Sequence, residues 1–176
     1  MAHAARTRPM SRAFVKEGAP EVPVVVPPRP ALPAGVPNYV TPAGLAALRA
    51  ERADLERQRA ALDPDDPDTS RTRELLSGRL RDLVERIAQS RVVDPEGIDR
   101  PEARFGATVT VRRADGAEQS VQIVGVDEAD SDAGTVAFTS PLARAVTGKR
   151  AGDAAVLKTP NGDVPLEVVA VRYGAA

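Results

Sequence analysis

Leucines fall at helical spacing on two stretches, Leu45 to Leu62 and Leu75 to Ile87, and the residues between them, Asp63-Pro64-Asp65-Asp66-Pro67-Asp68, form a sharp acidic turn. Two amphipathic helices joined by so short a linker bury their leucines only by folding back on each other, antiparallel. The expected product is a stiff finger with Asp63, Asp65, Asp66 and Asp68 at its far point. Such a shape suits a protein that reaches into something, and the question it raises is whether the four carboxylates do chemistry or end a helix.

The first arm opens at Thr41-Pro42. Thr41 is a natural cap for unpaired amides, and Pro42 fits the first helical position, where its missing N–H costs nothing. Positions 45, 48, 52, 55, 59 and 62 then carry Leu, Leu, Arg, Leu, Arg and Leu. The stems of Arg52 and Arg59 can lie along the seam while their guanidinium groups reach water. The second arm repeats the rule with Leu76, Leu80, Leu83 and Ile87, and Leu75 and Val84 widen its stripe. Asp68, Thr69 and Ser70 are all acceptable caps for it. Gly78 costs up to about 1 kcal/mol inside a helix relative to alanine, which points to a close approach of the two arms or to a tolerated flaw. An arm of this kind, about 20 residues long, spans roughly 30 Å.

On either side the character of the chain changes. Eight of its 16 prolines fall within the first 37 residues, so residues 1–37 read as a flexible, extended tail. Within it Ser11 to Glu17, around Phe14, reads either as a short docking peptide or as part of an unstructured leader. Residues 38–93 form the helical module. After Asp94-Pro95 the period becomes alternating, and residues 94–176 read as a second module. Its expected strands are Thr108 to Val111, Ser120 to Val124, Gly134 to Phe138, and about 154–159 and 164–172. Asp115-Gly116 and Asn161-Gly162 are hairpin-turn dipeptides, the latter suited to a type I′ turn. Ser140-Pro141 starts a short helix, Leu142 to Thr147, which Gly148 ends. The fold class is α+β: an antiparallel coiled-coil hairpin followed by a small antiparallel sheet with one short helix packed on it.

Composition removes several functions. The chain has no cysteine, so disulfides and thiolate zinc sites are excluded. Its one histidine, His3, lies in the tail and reads as a bystander. A net charge of −1 gives no global basic excess for nonspecific nucleic-acid binding. Val24-Val25-Val26 is closed off by Pro23 and Pro27, and no apolar run approaches the roughly 20 residues of a membrane helix. The expectation is a cytoplasmic, two-module monomer without a membrane segment.

Several ordered blocks carry a resemblance. Tyr39-Val40-Thr41-Pro42-Ala43-Gly44-Leu45 resembles the opening of the first hairpin helix in the Gre family of transcription elongation factors. Phe105-Gly106-Ala107-Thr108-Val109 and Ile123-Val124-Gly125 with Asp127-Glu128-Ala129-Asp130 are similar to that family's C-terminal domain in order and spacing. So are Ser140-Pro141-Leu142-Ala143-Arg144-Ala145, Gly148-Lys149 and Gly152-Asp153. The match runs over roughly residues 39 to 173. It implies an FKBP-like second domain that holds RNA polymerase at the rim of its secondary channel while the hairpin enters toward the catalytic centre. It also implies assisted transcript cleavage, in which tip acids help hold a second magnesium ion beside the polymerase's own metal. The partner is RNA polymerase, with nascent RNA touched indirectly. The protein would have no cofactor and no metal site of its own, magnesium being shared with the polymerase.

Two departures bear on that chemistry. The family's tip run, Asp-Leu then Glu-Asn then Glu-Tyr, is absent, so none of Asp63, Asp65, Asp66 and Asp68 is carried over as catalytic. The arms are also shorter than the family's by roughly ten residues each, about 15 Å. A secondary-channel competitor that does not stimulate cleavage is therefore a second reading. Aspartate and proline are ordinary turn formers, and Asp68 near a helix start is favourable through capping alone; four carboxylates in six residues exceed what a turn requires. Outside the tip, segment 41–90 holds nine arginines against six acids, a surplus suited to RNA or acidic walls, or to a solvated helix face. Ser140, Pro141, Leu142, Arg144 and Lys149 are the polymerase-docking candidates, and generic helix punctuation accounts for several of the same residues. A prolyl isomerase of FKBP type is a remote third reading, since the second module offers only Phe105, Phe138 and Tyr173 as aromatic walls.

Overall fold

A computed structural model describes residues 24–174. It is an α+β protein built around two separate apolar clusters. His3 and Ser11 to Glu17 lie outside the described residues.

The helical module begins with a three-residue strand, β1 (Asn38–Val40), followed by α1 (Pro42–Ala60), α2 (Ser70–Ala88) and β2 (Ser90–Val92). β1 pairs with β2 in parallel, Val40 opposite Val92. The start of α1 and the end of α2 are thereby held together, so the helices run antiparallel and the acidic turn lies at the other end. Leu48 and Leu55 of α1 meet Leu76, Leu80 and Leu83 of α2, with Val40 sealing the base. Leu45, Leu62 and Ile87 pack at the margin of this seam. Arg52 and Arg59 stay exposed, and Arg52 pairs with Glu56 one turn on. Val84, expected to widen the stripe, is 48% exposed. The β1–β2 pairing is the part of this module that leucine spacing does not foretell.

The second module is a five-stranded sheet in the order β5-β4-β3-β7-β6, formed by β3 (Thr108–Arg113), β4 (Glu118–Val124), β5 (Thr135–Ala137), β6 (Ala154–Thr159) and β7 (Gly162–Arg172). The sheet is mixed rather than wholly antiparallel, because the edge strand β5 runs parallel to β4. α3 (Pro141–Val146) buries Ala143 and Val146 against it, beside Val109, Val111, Ile123 and Val168. Asn161-Gly162 does not make a type I′ turn. Thr159 pairs with Gly162, so the loop residues are Pro160 and Asn161. Proline cannot adopt the positive φ that type I′ demands at the first of them, and no non-glycine residue has positive φ among the described residues. Gly116 does have positive φ and closes the β3–β4 hairpin.

Residues 24–37 qualify the expectation of a flexible tail. Arg29 reaches both Glu51 on α1 and Asp127 after β4, and Val26 packs on Gly78 of α2. Gly78 thus accommodates this segment: a β-carbon there would lie 2.5 Å from Val26 Cγ2. The arms approaching each other is not its explanation. Among the described residues no helix is long and apolar enough to cross a membrane.

Candidate functional site

At the far end of the helical pair, the acidic turn divides its carboxylates into two kinds. Asp63 Oδ1 accepts from the Asp65 amide at 2.9 Å, and Asp66 Oδ1 from the Asp68 amide at 2.9 Å. Both side chains are therefore used to shape the turn. Asp66 caps a one-turn 3-10 helix, Pro67–Thr69, that runs into α2, with Pro67 at its first position. Thr69 stands at the N-cap position of α2, as one of the expected caps, but makes no side-chain capping bond; the side-chain cap is the one Asp66 gives the 3-10 turn before it. The Thr69 hydroxyl donates instead to the backbone carbonyls of Asp63 and Asp66, and Arg73 donates to the Asp63 carbonyl at 2.7 Å. Among the described residues, the carboxylates of Asp65 and Asp68 take no such hydrogen bond, and both are exposed. They are the two tip acids with both oxygens free of such bonds, whereas Asp63 and Asp66 each commit one. Hard oxygen donors suit magnesium, which keeps several waters and takes one or two carboxylates. No group of three or more histidine, cysteine, aspartate or glutamate side chains placed to hold a metal ion occurs among the described residues.

The docking candidates lie on the sheet module. Ser140 caps α3 by accepting from the Ala143 amide, and Leu142 packs toward the core. Pro141 and Arg144 face outward and line a groove of about 370 Å³ together with Ala145, Val156 and Lys158. Val156, half exposed at 50% on the edge strand β6, gives this groove an apolar floor beside two cations. Lys149 is not part of that lining; its backbone is bonded to Val146 and Ala103. Val156 and Lys158 escape sequence reasoning because alternation along a strand marks which residues share a face, without marking which edge is left open.

The two modules meet at a junction formed around the N-terminus of α1. The Glu128 carboxylate sits on the N-terminus of α1. It accepts from the Thr41 amide at 3.0 Å, from the Thr41 hydroxyl, and from the Gly125 amide at 3.1 Å. The Thr41 hydroxyl in turn accepts from the Gly44 amide at 3.0 Å. A carboxylate is favourable there because unpaired amides and the helix dipole both present positive charge. Beside it, Tyr39 packs on Phe105 and Phe138, each ring centroid 5.7 Å from its own. Phe105 and Phe138 are two of the sheet module's three aromatics, and both are engaged by Tyr39 of the helical module. A third contact is ionic. Asp127, its side chain only 3% exposed, lies between Arg29 at 3.2 Å and Arg86 at 3.5 Å. Hydrogen bonding from Arg29 holds the Glu51 carboxyl below the usual glutamate range, against the opposing effect of burial.

The chain is similar to several known proteins. The model of the family described as transcription elongation factor, GreA/GreB, C-terminal, matches residues 99–173. Transcription elongation factor GreB of Neisseria meningitidis serogroup A is 37% identical over 153 residues, which cover 77% of this chain and 94% of that one. Transcription elongation factor GreA of Ralstonia nicotianae is 40% identical over 111 residues, covering 61% and 70%. A solved structure, GreA factor homolog 1 of Thermus thermophilus, is 24% identical and covers 76% of this chain and 97% of that one, at a TM-score of 0.37.

Proposed function

Because the chain belongs to the GreA/GreB family of transcription elongation factors and acts on RNA polymerase as an accessory factor, not an enzyme in its own right, we propose that its sheet module docks at the rim of the secondary channel while the helical pair enters it. In this reading the helices form a short coiled coil, the sheet module is FKBP-like, and the protein works as a cytoplasmic monomer. The observation that carries it is the division at the tip: two carboxylates build the turn, and two, Asp65 and Asp68, stand exposed with unused oxygens at the end of a rigid pair. The groove at Pro141, Arg144, Val156 and Lys158 supplies an apolar floor and two positive charges for an acidic, partly apolar partner surface.

Asp65 and Asp68 are the residues that would hold a magnesium ion shared with the polymerase, where such an ion supplies charge neutralisation and an activated water. This chain's contribution is to carry the two oxygens to the catalytic centre and to hold them steady through Asp63, Asp66, Thr69 and Arg73. A second reading, occupancy of the channel without stimulated cleavage, is favoured by helix length. At 19 residues each, α1 and α2 extend only about 28 Å.

Backtracked elongation complexes distinguish the two. The proposal expects addition of the protein to shorten the RNA, and the Asp65→Ala/Asp68→Ala variant to lose that effect by at least about tenfold, in keeping with removal of a charge-stabilising group. Binding to the polymerase should survive in the variant, because the groove is untouched. Unchanged RNA length, combined with blocked action of a longer GreA on the same complexes, would establish the competitor reading instead.

A further inference from the structure

The proline-rich segment before the helical pair is anchored at three places on two modules. Val26 fills the gap that Gly78 leaves on α2. Arg29 donates twice to Glu51 on α1, at 2.9 and 3.0 Å, and through Nε to Asp127 of the sheet module at 3.2 Å. The Pro30 carbonyl accepts from Arg86 of α2. Arg29 is thus the only side chain among the described residues that forms ion pairs with both α1 and the sheet module. Its planar fork suits the task, since two parallel N–H groups take one carboxylate while the third nitrogen takes another.

The segment is suited to be held this way. Pro27, Pro28, Pro30 and Pro33 restrict the free chain to extended conformations, so ordering it sacrifices less entropy than ordering an average chain. Its glycine seat is otherwise unfavourable within α2. Asp127 shows the same dependence from the other side. One of its oxygens is bonded to Arg29, while the other has no hydrogen-bond partner among the described residues and lies 3.5 Å from Arg86. Without Arg29, a nearly buried carboxylate keeps a single arginine, at 3.5 Å. Relative motion is the default for modules joined by a small contact, and a clasp spanning that contact restricts it.

We propose that residues 24–37 are an intramolecular brace and that Arg29 is a positioning residue, which holds the helical pair at one angle to the sheet module and so aims the acidic tip. The functional consequence rests on the reading that the tip is delivered into the polymerase; the brace itself does not. Because the chain lacks cysteine, spin labels can be placed at will. Pulsed electron resonance on the full chain carrying Ala60→Cys and Ala151→Cys reads the distance from helix end to sheet module. A control pair, Ala60→Cys with Arg71→Cys, reads the helical pair alone. Arg29→Ala and, independently, Glu51→Gln should broaden the first distribution about twofold and leave the control unchanged, while Arg29→Lys should restore part of the narrowing. Identical first distributions for Arg29→Ala and the unaltered chain would overturn the proposal. So would broadening of the control pair, which would make Arg29 a packing residue of the helices. Both distances are measured in the free protein, so failure to bind polymerase would count against the proposed function and leave the brace intact.

Discussion

Gly44→Ala is expected to destabilise the protein by about 3 kcal/mol, although the same change in an exposed helix interior stabilises by about 1 kcal/mol. The reversal comes from Glu128. A β-carbon on Gly44 would overlap the Glu128 carboxyl group, which has to leave its seat. It then gives up its bonds from the Thr41 amide, the Thr41 hydroxyl and the Gly125 amide. Hydrogen bonds to a charged group contribute about 1.5–3 kcal/mol each and do not add in full. The measurement is thermal melting, where a loss of this size lowers the midpoint by about 10 °C in a chain of this length. The partner variant sharpens the test. In a Glu128→Ala background the carboxyl group that the new methyl would displace is gone, so Gly44→Ala should become neutral or stabilising. The resulting coupling should be roughly 3–4 kcal/mol; additive effects would show that Glu128 is not what makes glycine necessary there.

Leu83→Ala is expected to cost about 3 kcal/mol, within the range for a buried leucine whose cavity cannot collapse. Leu83 is fully buried among Val40, Leu48, Leu55, Leu76 and Leu80, where both helices and the base strand converge. Its neighbour provides the contrast. Val84 is 48% exposed, so Val84→Ala should stay within about 0.5 kcal/mol of the unaltered chain. Denaturant unfolding of the two variants reads the difference directly. Equal losses would mean that the helices meet along another stripe.

These two sites also mark what the sequence makes legible. The leucine spacing places Leu48, Leu55, Leu76, Leu80 and Leu83 on one seam because helical periodicity is local and repeats. Thr41-Pro42 and Ser140-Pro141 identify two helix starts for the same reason: a cap and its proline are neighbours in the chain. The acidic turn is legible as a turn, yet its division of labour is not. Whether Asp66 or Asp68 caps depends on a single turn of 3-10 helix, which no propensity distinguishes from the start of α2. Long-range contacts are hidden more deeply. Gly44 reads as one more small residue in an alanine-rich helix until Glu128 arrives from 84 positions away. Gly78 reads as an approach of the arms or a tolerated flaw, and its real neighbour, Val26, comes from the proline-rich segment. The β1–β2 pairing joins three-residue strands on opposite sides of both helices, too short for alternation to register. The family resemblance supplies the order of modules and the partner, but it is silent on residues 24–37, where the brace lies.

The central claim is that the acidic turn stands inside the polymerase while α3 and β6 remain at its rim. With no native cysteine, a photo-crosslinker can be attached at one chosen position, Asp65→Cys in one protein and Lys158→Cys in another, and each complex with a stalled polymerase irradiated. The account predicts that the probe at 65 reaches the RNA 3′ end or the protein lining the catalytic centre, while the probe at 158 labels only the outer rim of the channel. Labelling of the outer surface by the probe at 65, or the same labelling from both positions, would contradict it.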